Sequence, residues 1–192
     1  MPRKRIAVLL SGRGSNMLAL ARAAQDPAYP GEIVLVLSNR AAAPGLEAAR
    51  QLGLPTAVVP GKSHPDREAF DAAVSAELEA HGVQAIALAG FMRILSPAFV
   101  RRWAGRLVNI HPSLLPRYPG LDTHARALAA GDTEAGCTVH LVTEELDAGP
   151  ILAQARVPVM PGDTPETLAA RVLEAEHRLY PQAFADFLDR LD

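Results

Sequence analysis

The chain has one cysteine, Cys137, in 192 residues. No internal disulfide can form, and no Cys or His cluster has metal-ligand spacing. Cys137 sits in an apolar run and reads as a buried small hydrophobe rather than a nucleophile. Long hydrophobic runs are missing too, so no segment reads as a membrane span. The run Ile6–Leu10 is too short for the core of a signal peptide. Charge of one sign is also lacking. The net formal charge is −2, which gives no basic field to attract nucleic acid or an anionic membrane, and Arg3-Lys4-Arg5 reads as a solvated lead-in. Repeats and low-complexity linkers are absent. These absences point to a protein of a reducing cytoplasm. The 192 residues, 49% apolar and 21% charged, fit one ordinary domain over 1–192 with a core that needs no staples.

What is present is alternation. Short apolar or β-branched runs occur at 6–10, 33–37, 57–59, 85–89, 107–110 and 138–142. Alanine-rich helical stretches at 16–25, 44–51, 66–80 and 97–103 separate several of them. Strand–helix alternation predicts an α/β fold, a Rossmann-like, mostly parallel twisted sheet flanked by helices. The last part changes character. Residues 138–142 and 151–159 read as two strands joined by a loop, an antiparallel addition to the sheet. Asp163 and Glu166 have capping-box spacing with Pro165 early in the helix. Leu168, Val172, Leu173, Glu176 and Leu179-Tyr180 then recur at helical spacing, which puts Glu176 on or beside the apolar face. Pro181 is expected to kink or interrupt this terminal helix.

The first strand runs into Ser11-Gly12-Arg13-Gly14-Ser15-Asn16 and then a helix. Glycines permit a tight turn and close approach by an anion. The N–H groups of Gly14, Ser15 and Asn16 would be free at the helix start to cradle a phosphate. The segment is not a P-loop, since Gly-Lys-Ser/Thr is missing. Nor is it a dinucleotide fingerprint, since Met17 stands where the third glycine would fall and the second strand ends Leu37-Ser38-Asn39-Arg40 without an acid. Two readings stay open, a phosphate-monoester site and an ordinary Gly-Ser turn.

Asn109-Ile110-His111-Pro112-Ser113 lies at a strand end. In an extended chain i and i+2 point the same way, so Asn109 and His111 share a side with Ile110 on the other, and Pro112 favours an end to the strand. An amide that can hold an oxyanion and an imidazole that can move a proton are thereby presented together. A buried Asn–His pair satisfying a loop is the competing reading.

Gly90-Phe91-Met92-Arg93-Ile94-Leu95-Ser96-Pro97 follows the fourth strand, at the usual ligand edge of open α/β sheets. It offers apolar walls for a flat ring and backbone groups to read its edge, or core residues before a capped helix. The loop Thr143-Glu144-Glu145-Leu146-Asp147 is acidic. If the fold brings Asp147 near His111, its carboxylate would favour the imidazolium and fix its orientation. His140 alternates with Val139 and Leu141 and either faces the same cleft or is structural. His124 reads as structural. His64, His81 and His177 read as surface or helix-end residues. Arg67 could pair with a ligand carboxylate, or be solvated.

Together and in this order, these segments resemble the phosphoribosylglycinamide formyltransferases, the folate-dependent enzymes of purine synthesis. The resemblance covers nearly the whole chain and adds Leu146-Asp147-x-Gly149-Pro150 and Glu176-His177-x-x-Tyr180-Pro181. It implies the formyltransferase fold, with a substrate- and phosphate-binding N-terminal half and a catalytic, folate-binding C-terminal half. It also implies direct formyl transfer from 10-formyltetrahydrofolate to the amine of 5′-phosphoribosylglycinamide through a tetrahedral intermediate, with no metal. Asn109, His111 and Asp147 would be catalytic. Gly14, Ser15 and Asn16 would hold the phosphate and Glu176 the ribose hydroxyls. Met92, Arg93, Ile94 and Leu95, with Asn109 and the loop Thr143, Glu144, Glu145, Leu146 and Asp147, would surround the folate, and Arg67 would lie near its benzoylglutamate part. Arg13 either adds charge near the phosphate or faces solvent. The expected partners are small molecules only, with no nucleic acid and no membrane, in a monomer or homodimer. Two alternatives are a formyltetrahydrofolate hydrolase, which uses water as acceptor, and a non-catalytic phosphate- or nucleotide-binding module. A methionyl-tRNA formyltransferase would need an RNA-binding domain and a basic surface.

Overall fold

The computed structural model describes residues 2–192; Met1 lies outside that range. The chain begins with strand β1 (Lys4–Leu10), helix α1 (Ser15–Ala24), β2 (Gly31–Ser38), α2 (Pro44–Gln51) and β3 (Thr56–Val58). After a 3-10 turn at Gly61–Ser63 come α3 (Arg67–Ala80), β4 (Ala85–Leu88), α4 (Pro97–Arg102), β5 (Leu107–His111), α5 (Thr123–Ala129), β6 (Glu134–Leu141), β7 (Ile151–Pro158) and α6 (Pro165–Asp189). One sheet has the order β3-β2-β1-β4-β5-β6-β7. β3 to β5 are mutually parallel, and β6 and β7 add on in antiparallel fashion. The winding reverses between β1 and β4. A crevice opens beyond the carboxyl ends of such strands, which is where open α/β sheets bind ligands.

The central strands are covered on both faces, so β1 is apolar without alternation: Ile6 to Leu10 are all fully buried. One sheet face, with Ile6, Val8, Ala87, Val108 and Ile110, packs under α1 and α6. The other, with Ala7, Leu9, Ile86, Leu88 and Leu107, packs against Phe70 and Val74 of α3 and Phe99 of α4. Leu168, Val172, Tyr180 and Phe184 of α6 are fully buried, each stabilising the fold by about 1.5–3 kcal/mol relative to exposure. The Tyr180 hydroxyl, placed between β4 and β5, donates to the Leu88 carbonyl at 2.8 Å.

Two local expectations are corrected. The cap of α6 is Thr164, which forms its box with Thr167. Asp163 is instead drawn into an ion pair with Arg171 at 2.7 Å, and that pairing holds its carboxyl well below the usual range. Pro181 does not interrupt α6, which runs unbroken through it. The buried neighbours Tyr180 and Phe184 hold that segment in place, and the Tyr29 hydroxyl donates to the Pro181 carbonyl at 2.9 Å. β6 also begins earlier than the sequence suggests. At Gly136 an added Cβ would lie 2.0 Å from the Ala155 carbonyl oxygen, so only glycine permits this approach to β7. Cys137 is fully buried, and burial pushes its thiol up to about 12, which keeps it protonated and inert.

Candidate active site

Leu107, Asn109 and His111 lie on the α3/α4 face of the sheet, while Val108 and Ile110 point into the opposite core. Across the antiparallel ladder Asn109 faces His140 and His111 faces Thr138. An amide and two imidazoles therefore share one patch at the end of β5.

The turn after β5 fixes His111. Its ring is buried, and Nε2 donates to the Tyr118 carbonyl at 2.9 Å. That carbonyl is held in place from below. Ser113 Oγ donates to the Arg117 carbonyl at 2.6 Å, and Thr138 Oγ1 donates to the Ser113 carbonyl at 2.7 Å. With Nε2 committed as a donor, Nδ1 is the nitrogen left to act. The Leu115–Pro116 peptide in this turn is cis.

His140 is locked the opposite way. Its Nδ1 donates to the Leu141 carbonyl at 3.0 Å, so Nε2 is a bare lone pair. Asn109 Nδ2 donates to it at 3.4 Å. Burial pushes the His140 pKa down, in keeping with a neutral acceptor. Of the two amide protons of Asn109, one is taken by His140 and one remains for a ligand oxygen.

Asp147 reaches this patch from a loop. Val142 N–H bonds to Leu107 at the start of β5, and Asp147 touches His111 at its end, so the loop runs back along β5. The Asp147 carboxylate is 93% buried, with Oδ2 3.5 Å from His111 Nδ1, and it accepts the Gly120 N–H at 2.8 Å. Its backbone has φ 52°, a left-handed conformation uncommon for a residue other than glycine, asparagine or aspartate. Strain of this kind clusters at functional sites. Gly149 makes the path possible, since a Cβ there would lie 1.8 Å from the Leu141 carbonyl oxygen.

At the switch point Gly14 takes φ 73° and caps α1 with no side chain in the way. The first N–H groups of α1 are thus open to an anion. A Cβ on Gly14 would lie 2.9 Å from the Gly45 Cα, so the loop also depends on close packing with α2. Arg13 is exposed. Glu176 of α6 is buried with the Asn16 side chain against it. Burial pushes its carboxyl up to about 7, and Asn16 partly opposes the rise.

Beyond β4, Met92 and Ile94 are 72% and 65% exposed, large apolar side chains left facing solvent at a ligand edge. Leu146 is exposed on the loop that carries Asp147. Arg93 lies over the Phe70 ring at 4.0 Å, so its side chain serves the loop itself. Glu144 is paired with Arg101 of α4 at 2.9 Å. Thr143 and Glu145 are exposed. Arg67 is exposed in the first turn of α3. A hollow of about 530 Å³ lined by Ala21, Ile33, Leu54 and His81 lies where β1 and β2 begin, away from these groups.

The model of the formyl transferase family matches residues 4–184. The chain belongs to this family. It is 50% identical over 184 residues to the phosphoribosylglycinamide formyltransferase of Escherichia coli (strain K12), a match covering 96% of this chain and 87% of that protein. It is 54% identical over 186 residues to the trifunctional purine biosynthetic protein adenosine-3 of Drosophila pseudoobscura pseudoobscura, covering 96% of this chain but only 14% of that much longer relative. The crystal structure of the phosphoribosylglycinamide formyltransferase from Brucella melitensis superimposes with a TM-score of 0.93 at 56% identity, over 97% of this chain and 96% of that one.

In this formyl transferase Asn109, His111 and Asp147 converge, and Asn16 of the Gly14–Asn16 turn lies against Glu176. Sequence reasoning leaves His140 open between cleft and structure; its ring is on Asn109. It misses Ser11, whose hydroxyl joins two loops, and the Gly120 N–H on Asp147. Among the described residues no cluster of three His, Cys, Asp or Glu could hold a metal ion, and no helix is long and apolar enough to cross a membrane.

Glu176 carries a pH prediction. A carboxyl raised from its ordinary 4.5 to about 7 contributes stability that is complete below pH 4.5 and is lost as pH rises through 7. The loss is worth about 1.4 kcal/mol per pH unit in that window, or roughly 3 kcal/mol in all. Glu176→Gln removes this dependence. The melting temperature of the variant relative to the parent is expected to climb by roughly 5 °C between pH 5 and pH 8. A gap that stays constant with pH overturns the assignment.

Proposed function

We propose that this chain forms a single formyltransferase domain over 1–192. In this reading it moves a formyl group from 10-formyltetrahydrofolate to the amine of 5′-phosphoribosylglycinamide, in keeping with relatives that carry the name phosphoribosylglycinamide formyltransferase. The observation that carries the reading is the convergence of Asn109, His111 and Asp147 on one patch. The folate donor fits the residues at hand: exposed Met92 and Ile94, beside a backbone with free polar groups, suit a flat heteroaromatic ring. When bound, the donor supplies the formyl carbon.

Gly14, Ser15 and Asn16 hold the phosphate on the free N–H groups of α1, and Glu176 accepts the ribose hydroxyls. The donor lies along Met92–Leu95 and the 143–147 loop, with its benzoylglutamate toward Arg67. The remaining N–H of Asn109 and a proton on His111 Nδ1 donate to the formyl oxygen as negative charge builds on attack by the amine. Asp147 stabilises the charged imidazole and, through water, carries the amine proton toward the leaving folate nitrogen as the carbon–nitrogen bond to the donor breaks. No step asks for a metal or a covalent enzyme adduct. The protein acts on small molecules in the cytoplasm, as a monomer or homodimer.

The test is a formyl-transfer assay run with and without phosphoribosylglycinamide. Tetrahydrofolate released only with the amine supports transfer. Equal release without it replaces this reading with hydrolysis, and no release in either arm removes both.

A further inference from the structure

The segment between Phe91 and Pro97 is held at both ends by buried side chains that touch no ligand in the proposed reaction. At one end Met92 N–H donates to Ser11 Oγ at 2.8 Å, and Ser11 in turn donates to Asn39 Oδ1 at 2.6 Å. Ser11 N–H also bonds the Gly90 carbonyl at 3.0 Å. At the other end Ser96 N–H donates to Asp71 Oδ2 at 2.5 Å. Ser11 and Asp71 are 2% and 3% exposed. The Asp71 carboxylate has a second oxygen, Oδ1, buried with no partner. Burying a carboxylate with one oxygen unpaired is costly, so stability alone does not account for aspartate at this place.

Between the two ties, the N–H and C=O groups of Arg93, Ile94 and Leu95 make no hydrogen bond to protein among the described residues. Arg93 is pinned sideways on Phe70, the neighbour of Asp71, and passes so close to Gly61 that a Cβ there would lie 2.4 Å from its Nη1. The strip is thus fixed at its ends and by one side chain, while its middle backbone stays free.

We propose that Ser11 and Asp71 are positioning residues for folate recognition: they stretch the 92–96 strip so that its free backbone groups stand in register with the polar edge of the pterin. The proposal rests on the formyl-transfer reading. It explains why a serine next to the phosphate loop bonds a loop that serves the other substrate. It also explains why the buried carboxylate of α3 accepts a main-chain N–H at the end of that loop.

The test compares steady-state constants of the parent, Ser11→Ala, Asp71→Ala and Asp71→Asn. Loss of one tie is expected to raise the KM for 10-formyltetrahydrofolate about tenfold, with the KM for phosphoribosylglycinamide within about twofold and kcat less affected than folate KM. Asp71→Asn keeps a carbonyl acceptor for Ser96 N–H and is expected to recover most of the loss. Folate KM unchanged in both alanine variants overturns the proposal, as does an equal rise in both KM values or an asparagine variant no better than alanine. If an alanine variant does not fold, the proposal stands or falls on Asp71→Asn and on Ser11→Gly. The latter also lacks the hydroxyl and must show the same selective rise. A parent inactive in the amine-dependent assay strikes the formyl-transfer reading instead, so the two failures are distinct.

Discussion

His111→Ala is expected to lower kcat by about 10⁴-fold, since it removes both an oxyanion donor and the positioned acid, whose separate effects do not simply add. Phosphoribosylglycinamide binding, followed by calorimetry, is expected to change by no more than about threefold, because the phosphate loop and Glu176 share no hydrogen bond with the imidazole. The same substitution leaves the Tyr118 carbonyl without its donor, which costs about 1–3 kcal/mol if water does not replace it. Activity is therefore read under conditions where melting shows the variant folded. A folded variant within tenfold of the parent's kcat removes His111 from the chemistry.

The strands were legible because the parallel core leaves them no alternative. Ile6–Leu10 and Ala85–Leu88 are covered on both faces, so they read as short continuous apolar runs between turn residues. The shared direction of Asn109 and His111 follows from the two-residue period alone. The contact of Asp147 with His111 could not be read that way. It depends on a loop running back along β5, on a left-handed residue and on the close pass of Gly149 under the Leu141 carbonyl. The resemblance to known formyltransferases supplied Asp147 before any geometry did. The same limit explains Pro181, which local rules treat as a break. The packing of Tyr180 and Phe184 on the sheet outweighs the lost hydrogen bond. It also explains Arg93 and Glu144. Composition shows a cation and an anion near the crevice, and only tertiary contacts show them taken up by Phe70 and Arg101.

The second large effect belongs to Asp147, and the side chain that replaces it decides the size of the loss. Asparagine tolerates φ 52°, and its carbonyl oxygen can keep the Gly120 N–H. The oxygen that accepts the Gly120 N–H, Oδ2, is also the one 3.5 Å from His111 Nδ1. The amide N–H of asparagine would then take the place of Oδ1, 3.9 Å from the His140 Nε2 lone pair. His111 keeps an oxygen neighbour but loses the negative charge that stabilises a proton on Nδ1 in the reaction. Asp147→Asn is therefore expected to lose about 10²- to 10⁴-fold in kcat while melting within a few degrees of the parent. Asp147→Ala removes the charge too, adds backbone strain of about 1 kcal/mol and leaves the Gly120 N–H without its acceptor. Alanine, the more destabilised variant, is accordingly expected to be no more active than asparagine. Steady-state rates beside melting curves for both variants check the order. Asparagine within tenfold of the parent would show that the charge on Asp147 is not what readies His111. Alanine clearly faster than asparagine would show that the Gly120 contact contributes nothing to the chemistry.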